Sequence, residues 1–293
     1  MTAVEGLTLR VDEGEVFGFL GPNGAGKTTT VRVLACLISK TSGEARIGNY
    51  EIGNDADALK IRKIIGLVPD NVGLYEDLSA YRNLDFYGRL YECTVAQRED
   101  RIEHFLKMLG LWNVKDRAVR TFSKGMKQKL AIVRALIHEP QVLFLDEPTA
   151  NLDPEFQKTV RDFILELKRE KRTIFLNTHN LDEAQRVCDR IGILNTKLVA
   201  EGTPEQLMES LEGRKTQVQL QQVTPAVTGT VERLGLRYVV ADDYRLVSDV
   251  RDPVKENPGI MESIVAAGGH IQFITEKHAT LEEVYLKLVR DEQ

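Results

Sequence analysis

The octapeptide GPNGAGKT at residues 21–28 carries the plainest chemistry in this sequence. It fits the spacing GxxxxGK[ST], with Gly21, Gly26, Lys27 and Thr28 at the fixed positions. Glycines let successive backbone N–H groups close around a polyphosphate, and the following helix N-terminus adds its positive dipole end. Lys27 is placed to reach β and γ phosphates, and the Thr28 hydroxyl to ligate Mg²⁺. Pro22, Asn23, Gly24, Ala25 and the following Thr29 complete the candidate nucleotide-binding set. VLFLDE, residues 142–147, ends an apolar run in two carboxylates. With a phosphate loop in the same chain, Asp146 can hold a Mg²⁺ shell and Glu147 can polarise an attacking water. General-base assistance of that kind is worth about 10²- to 10⁴-fold, or roughly 3–5 kcal/mol of barrier. His179 closes the run TIFLNTH. By position alone it fits a structural histidine as well as a sensor of the terminal phosphate.

These groups need strands and helices to hold them. Short apolar runs alternate with helical periodicity over the first two hundred residues, the pattern of βαβ units with a parallel sheet. EVFGFL (15–20), IIGLVP (64–69), VLFLDE, TIFLNTH (173–179) and IGIL (191–194) are the expected strands. Ligands in such sheets bind at the C-terminal strand edges, where all three motifs fall. Val31, Leu34, Ala35 and Ile38 form one helical stripe, and Phe156, Val160, Phe163 and Leu167 another. Residues 75–140 read as a charged helical insertion. Thr203, Pro204 and Gln206 form a capping box that opens a short helix to about Leu211.

After a linker at GRKT the pattern changes. Strands are expected at QVQL, RYVV, RLVS and HIQFIT, with helices near 225–234 and 257–267, and a tail helix TLEEVYLKLV with Leu281, Val284, Tyr285 and Leu288 on one face. The expected division is a domain at 1–212 and a small C-terminal one at 213–293, in which no chemistry is visible.

FSKGMKQKL, residues 122–130, has a serine placed to cap a helix and a glycine two residues later, where helices disfavour it. Taken in order, GPNGAGKT, FSKGMKQK, QVLFLDEPT, ANLD and THNLDEA resemble the nucleotide-binding domain of ABC transporters over roughly residues 3–210. The resemblance implies an α/β fold: a RecA-like P-loop NTPase core with antiparallel β and helical subdomains, followed here by a small α+β domain. It implies ATP and Mg²⁺ as ligands and ATP hydrolysis as the activity. FSKGM is similar to the family's signature LSGGQ, so Ser123, Lys124 and Gly125 are expected to face the nucleotide of a second subunit. ANLD, with Asp153, resembles the loop that passes beside the opposite site, and His179 the switch histidine. The implied partners are a second copy or a paralogous ATPase subunit, and a separate transmembrane permease. The implied place is the cytoplasmic face of the membrane, and the tail leans the reading towards export.

The sequence departs from the family pattern in places. Where the family carries a glutamine after the strand matching IIGLVP, this chain has Asp70, which is shorter and charged. It remains a candidate Mg²⁺ ligand but adds negative charge beside the phosphates. The aromatic residue that stacks on adenine upstream of TAVEGLTL has no counterpart before Met1. That predicts a loss of roughly 1–3 kcal/mol of base stacking, or a start further upstream. Lys124 replaces the first signature glycine, which adds positive charge near a polyphosphate. Met126 replaces the glutamine and falls with Leu130, Val133 and Ile137 on an apolar stripe.

The 293 residues carry 39 basic and 44 acidic side chains, a net charge of −5 that argues against a general attraction to nucleic acid. No run approaches the roughly 18 apolar residues that span a bilayer, and the start turns acidic too early for a signal peptide. Cys36, Cys93 and Cys188 lack any CxxC spacing and are expected to be buried thiols in a reducing cytosol. Two rival readings are a soluble ABC protein of DNA repair or translation and a non-hydrolysing ATP-gated regulatory module. The chain has neither the long coiled-coil insertion nor the second cassette of the first. Glu147 and His179 argue against the second.

Overall fold

The computed structural model describes residues 2–69, 73–150, 152–210, 215–250, 252–277 and 280–290. They form two compact units, residues 1–203 and 204–293.

The first unit is built on strand β1 (Val16–Leu20), which has no exposed side chain along its whole length. Such burial on both faces is what a central parallel strand requires. The phosphate loop leads from it into α1 (Lys27–Leu34). A small hairpin, β2 (Arg46–Ile47) with β3 (Tyr50–Glu51), and α2 (Asp55–Ile64) precede β4 (Ile65–Val68). The helical stretch follows as α3 (Ala80–Leu90), α4 (Val95–Met108) and α5 (Lys124–Leu136). Each starts on a hydroxyl cap, Ser79, Thr94 and Ser123, that satisfies a free N–H of the first turn. Arg98 of α4 is bonded to Asp85 of α3 at 2.6 Å and ties the two helices together. The chain then returns as β5 (Val142–Asp146), α6 (Pro154–Arg169), β6 (Thr173–Thr178), α7 (Leu181–Val187), β7 (Arg190–Asn195) and β8 (Lys197–Gly202).

The six strands run in the order β4-β5-β6-β1-β7-β8. All neighbours are parallel except β7 and β8. Phe175 of β6 packs against Phe17, Phe19 and Phe144 at ring separations of 5.7, 5.2 and 5.6 Å. Each fully buried ring contributes about 1.5–3 kcal/mol, so this cluster holds β1, β5 and β6 in register.

In the second unit, α8 (Pro204–Ser210) is followed by β9 (Lys215–Leu220), α9 (Pro225–Arg233), β10 (Tyr238–Asp242), β11 (Arg245–Asp249), α10 (Pro253–Ala266), β12 (Ile271–Lys277) and α11 (Leu281–Arg290). The antiparallel sheet has the order β10-β11-β9-β12. Strand–helix–strand twice over in this order is the split βαβ arrangement of ferredoxin-like domains. Its own core is formed by Val218, Leu220, Val227, Val231, Leu246, Ile260 and Ile264.

Several expectations need correction. α1 ends at Leu34, so Ile38 leaves the stripe and is 44% exposed. The helix at 204–210 groups with the second unit, which places the division at 203/204. Lys215 and Thr216 of GRKT already belong to β9. α10 starts before 257 because Asp252 caps it and Pro253 fits its first turn. Of the cysteines only Cys188 is buried; Cys36 and Cys93 are half-buried.

Candidate functional site

Strand register brings the three motifs to one edge. Leu20, the last residue of β1, lies opposite Thr178 of β6, and Asp146, the last of β5, lies opposite Asn177. Whatever follows each strand therefore emerges side by side: the phosphate loop, Glu147 and His179.

The phosphate loop is shaped by its glycines. Gly26 takes φ 97° at the cap of α1, and a Cβ there would stand 2.3 Å from the Ala3 carbonyl oxygen. A Cβ on Gly21 would likewise stand 2.2 Å from the Leu194 carbonyl oxygen. Both glycines are thus demanded by the close approach of backbone behind the loop, and Gly26 by its conformation as well. Lys27 is buried, and its Nζ donates to the carbonyls of Gly21 at 2.7 Å and Pro22 at 3.1 Å. Burial pulls its pKa below the usual lysine range, while the carboxylates of Glu147 and Asp146 push it back up. The ammonium therefore sits where loop, strand β5 and the position of a bound polyphosphate converge.

Thr28 donates through Oγ1 to Asp146 Oδ1 at 3.3 Å. Asp146 is 4% exposed, and its Oδ1 also accepts from the Asn177 amide. This pair of hard oxygen ligands suits Mg²⁺, which takes one or two protein ligands and completes its shell with phosphate and water. Among the described residues no group of three or more His, Cys, Asp or Glu is arranged to hold a metal ion by itself. Asn177 orients the carboxylate from behind, the arrangement that fixes a metal ligand. Asp70 lies outside the described residues.

Glu147 sits at φ 51°, a left-handed conformation uncommon outside glycine. Its N–H is fixed on the Asn177 carbonyl at 2.8 Å. The turn aims the carboxylate at His179, whose Nδ1 is 2.8 Å from Glu147 Oε2. Glu147 is 18% exposed and His179 61%, so the pair faces outward at the sheet edge, where a nucleotide and water have access. Thr28, Lys27, Asp146, Glu147 and His179 are thus one constellation.

Ser123, Lys124, Gly125 and Asp153 form a second group. Ser123 caps α5, accepting from Met126 N at 3.2 Å, and Asp153 caps α6, accepting from Phe156 N at 3.1 Å. Ser123 and Lys124 are exposed, while Gly125 is buried. A Cβ on Gly125 would lie 2.5 Å from Cδ1 of the Phe156 ring. Gly125 thereby joins the start of α5 to the start of α6, and the caps of both helices, Ser123 and Asp153, are exposed. Met126 is half-buried, whereas Leu130, Val133 and Ile137 of its stripe are fully buried.

The sequence did not point to Asn177, Thr149, Thr178 or Glu183. Asn177 and Thr178 interrupt the apolar run of β6, which is a signal for a strand end that does chemistry. Glu183 stands three residues after the cap Asn180, whose side chain accepts from Glu183 N at 3.1 Å.

The family model for ABC transporters matches residues 4–150. The daunorubicin resistance ATP-binding protein DrrA3 of Streptomyces coeruleorubidus is 35% identical over 99% of this chain and 92% of its own length. The Nod factor export ATP-binding protein I of Cupriavidus metallidurans is 33% identical over 97% of this chain and 91% of its own. The ABC transporter ATP-binding protein NatA of Bacillus subtilis is 38% identical over 71% and 85%. Among solved structures, a dimeric ATP-binding cassette in a post-hydrolysis state bound to ADP and Pi is similar at 28% identity and a TM-score of 0.63, over 69% of this chain and 90% of that one. An ATP-binding subunit of an ABC transporter is similar at 32% identity and a TM-score of 0.65, over 71% and 86%. The order of motifs, the fold and these relatives agree: the chain belongs to the ABC transporter family, as an ATP-hydrolysing nucleotide-binding subunit.

Proposed function

We propose that this subunit hydrolyses ATP between two paired copies, or between itself and a paralogous subunit, and that the pairing cycle drives export through a separate membrane permease. The observation that carries the reading is the 2.8 Å contact between Glu147 and His179 beside the Lys27–Thr28–Asp146 group.

The phosphate loop, residues Gly21 to Thr29, surrounds the β and γ phosphates with N–H groups. Lys27 neutralises charge there at no cost of new desolvation, because it is already buried. Thr28 and Asp146 would hold Mg²⁺, which would supply electrostatic stabilisation of the charge on the phosphates; Asp70 is a further candidate for that shell. Glu147 accepts a hydrogen bond from the attacking water and orients it. His179 holds Glu147 from outside and reaches the terminal phosphate. Ser123, Lys124, Gly125 and Asp153 complete the site of the partner subunit, because each chain's own phosphate loop already serves the nucleotide bound to it.

No helix among the described residues is long and apolar enough to cross a membrane, and the transport path is assigned to the permease. Export rather than import is favoured by the resistance and export proteins among the relatives that match nearly the whole chain, second unit included. We place it on the cytoplasmic face of the membrane, where ATP is available.

Steady-state phosphate release from the purified full chain tests the hydrolytic reading. Glu147→Gln should lower turnover by about 10²- to 10⁴-fold with ATP still bound. Turnover within threefold of wild type would remove Glu147 from its role.

A further inference from the structure

Near the Glu147–His179 pair lies a carboxylate whose hydrogen bonds among the described residues go to neither of them. Glu183, in the first turn of α7, has no exposed surface. Its Oε2 accepts two hydrogen bonds at 3.0 Å, one from the Thr149 hydroxyl and one from the Thr178 hydroxyl. Thr149 follows Glu147 by two residues, and Thr178 precedes His179 by one. Both threonines are buried. Thr178 Oγ1 also accepts from the Asn180 N–H at 3.0 Å, so the N–H, the hydroxyl and the carboxylate form one polarised chain.

A buried carboxylate is costly unless it is well bonded, and here Oε1 has no partner among the described residues. Burial pushes the Glu183 pKa up, the two threonine hydroxyls hold it down, the Glu147 charge raises it further and Arg161 offsets part of that. A simple structural filler would be met by an apolar side chain at lower cost. What an apolar side chain cannot do is bond both loops at once.

We propose that Glu183 is a positioning residue of the hydrolytic site: through Thr149 and Thr178 it fixes the separation of Glu147 and His179 without touching nucleotide. The inference rests on the reading of those two residues as the hydrolytic pair. A misplacement of about 1 Å in such a pair is enough to cost turnover without altering the phosphate loop that binds ATP.

The test uses the purified full chain, with kcat and KM from phosphate release and affinity from a fluorescent ATP analogue. Glu183→Ala should lower kcat at least tenfold with KM and analogue affinity within twofold. Glu183→Gln, which keeps a carbonyl oxygen for both hydroxyls, should retain at least half of wild-type kcat. Because Glu183 acts through the pair, Glu183→Ala combined with His179→Ala should be no slower, within twofold, than His179→Ala alone. Thr149→Val removes one of the two hydroxyl donors, and should reproduce the selective loss in kcat even where Glu183→Ala does not fold. Multiplying losses in the double variant, equal losses for the Ala and Gln variants, or wild-type kcat in Thr149→Val would each overturn the inference while leaving hydrolysis by Glu147 intact. Unchanged turnover in Glu147→Gln would instead sink the hydrolytic reading, and this inference with it.

Discussion

Single side chains at this site act through what lies behind them. Asp146 meets Thr28 in front and Asn177 behind, so Asn177 fixes a carboxylate that it does not share with the nucleotide. Outer partners of metal ligands are worth about 10- to 100-fold in metal affinity. Asn177→Ala should accordingly raise the Mg²⁺ concentration for half-maximal turnover by about that factor, and an unchanged Mg²⁺ titration would contradict the role. His138 makes a different residue-scale case. It stacks on Tyr91 at 3.7 Å and its Nε2 meets the Ile65 carbonyl at 2.9 Å, and burial depresses its pKa from 6.5 to about 4. The unfolded chain takes up a proton near 6.5 that the folded chain refuses until about 4. Its contribution to stability is therefore full above 6.5 and is lost as pH falls towards 4, about 3 kcal/mol at most. Denaturant unfolding at pH 7 and pH 5 should show a smaller drop for His138→Gln than for wild type; equal drops would remove His138 as the cause.

Among the elements, the junction of α5 and α6 carries the most specific demand. Alanine in place of glycine ordinarily favours a helix by about 0.5–1 kcal/mol. At position 125 the added methyl would press on the Phe156 ring at 2.5 Å, and overpacking of this kind costs about 1–3 kcal/mol. Gly125→Ala should thus lower stability by about 1 kcal/mol, and Phe156→Leu in the same chain should recover part of it. A Gly125→Ala protein that melts higher than wild type would show that the ring moves aside freely.

That junction also marks where local sequence pattern ends as a guide. Ser123 and Gly125 were legible as a capped helix start with an odd glycine, and the resemblance pointed them at a partner's phosphate. The ring that Gly125 packs against lies thirty-one positions along the chain, and no local pattern announces such a contact. The parallel strands of the first sheet were legible because each is a short, mostly apolar run bounded by turns, as β1 and β5 are. The edge strand β8 was not: KLVAEG is half-exposed, and its short apolar content does not distinguish a strand from a loop. Glu183 was invisible for a related reason. An acid in the first turn of a helix usually serves the dipole from solvent, whereas α7 packs on β1, β6 and α6 and this side chain is fully buried.

At the scale of the molecule, the two units divide the work differently. Residues 1–203 hold every group of the proposed chemistry, while residues 204–293 fold around a separate apolar core and bring none. Within the first unit, Ser123 and Asp153 stand at the surface at the starts of two joined helices, which their side chains cap. An anion brought there by a second chain would meet a helix N-terminus and the charge of Lys124. Half of each hydrolytic site is thus proposed to come from a partner, and pairing becomes part of the chemistry. The most direct measurement is the mass of Glu147→Gln by light scattering on a sizing column, with and without Mg-ATP. The account predicts a monomer without nucleotide and a dimer with it, a dimer that Ser123→Arg abolishes. A Glu147→Gln chain that binds ATP and stays monomeric would contradict it.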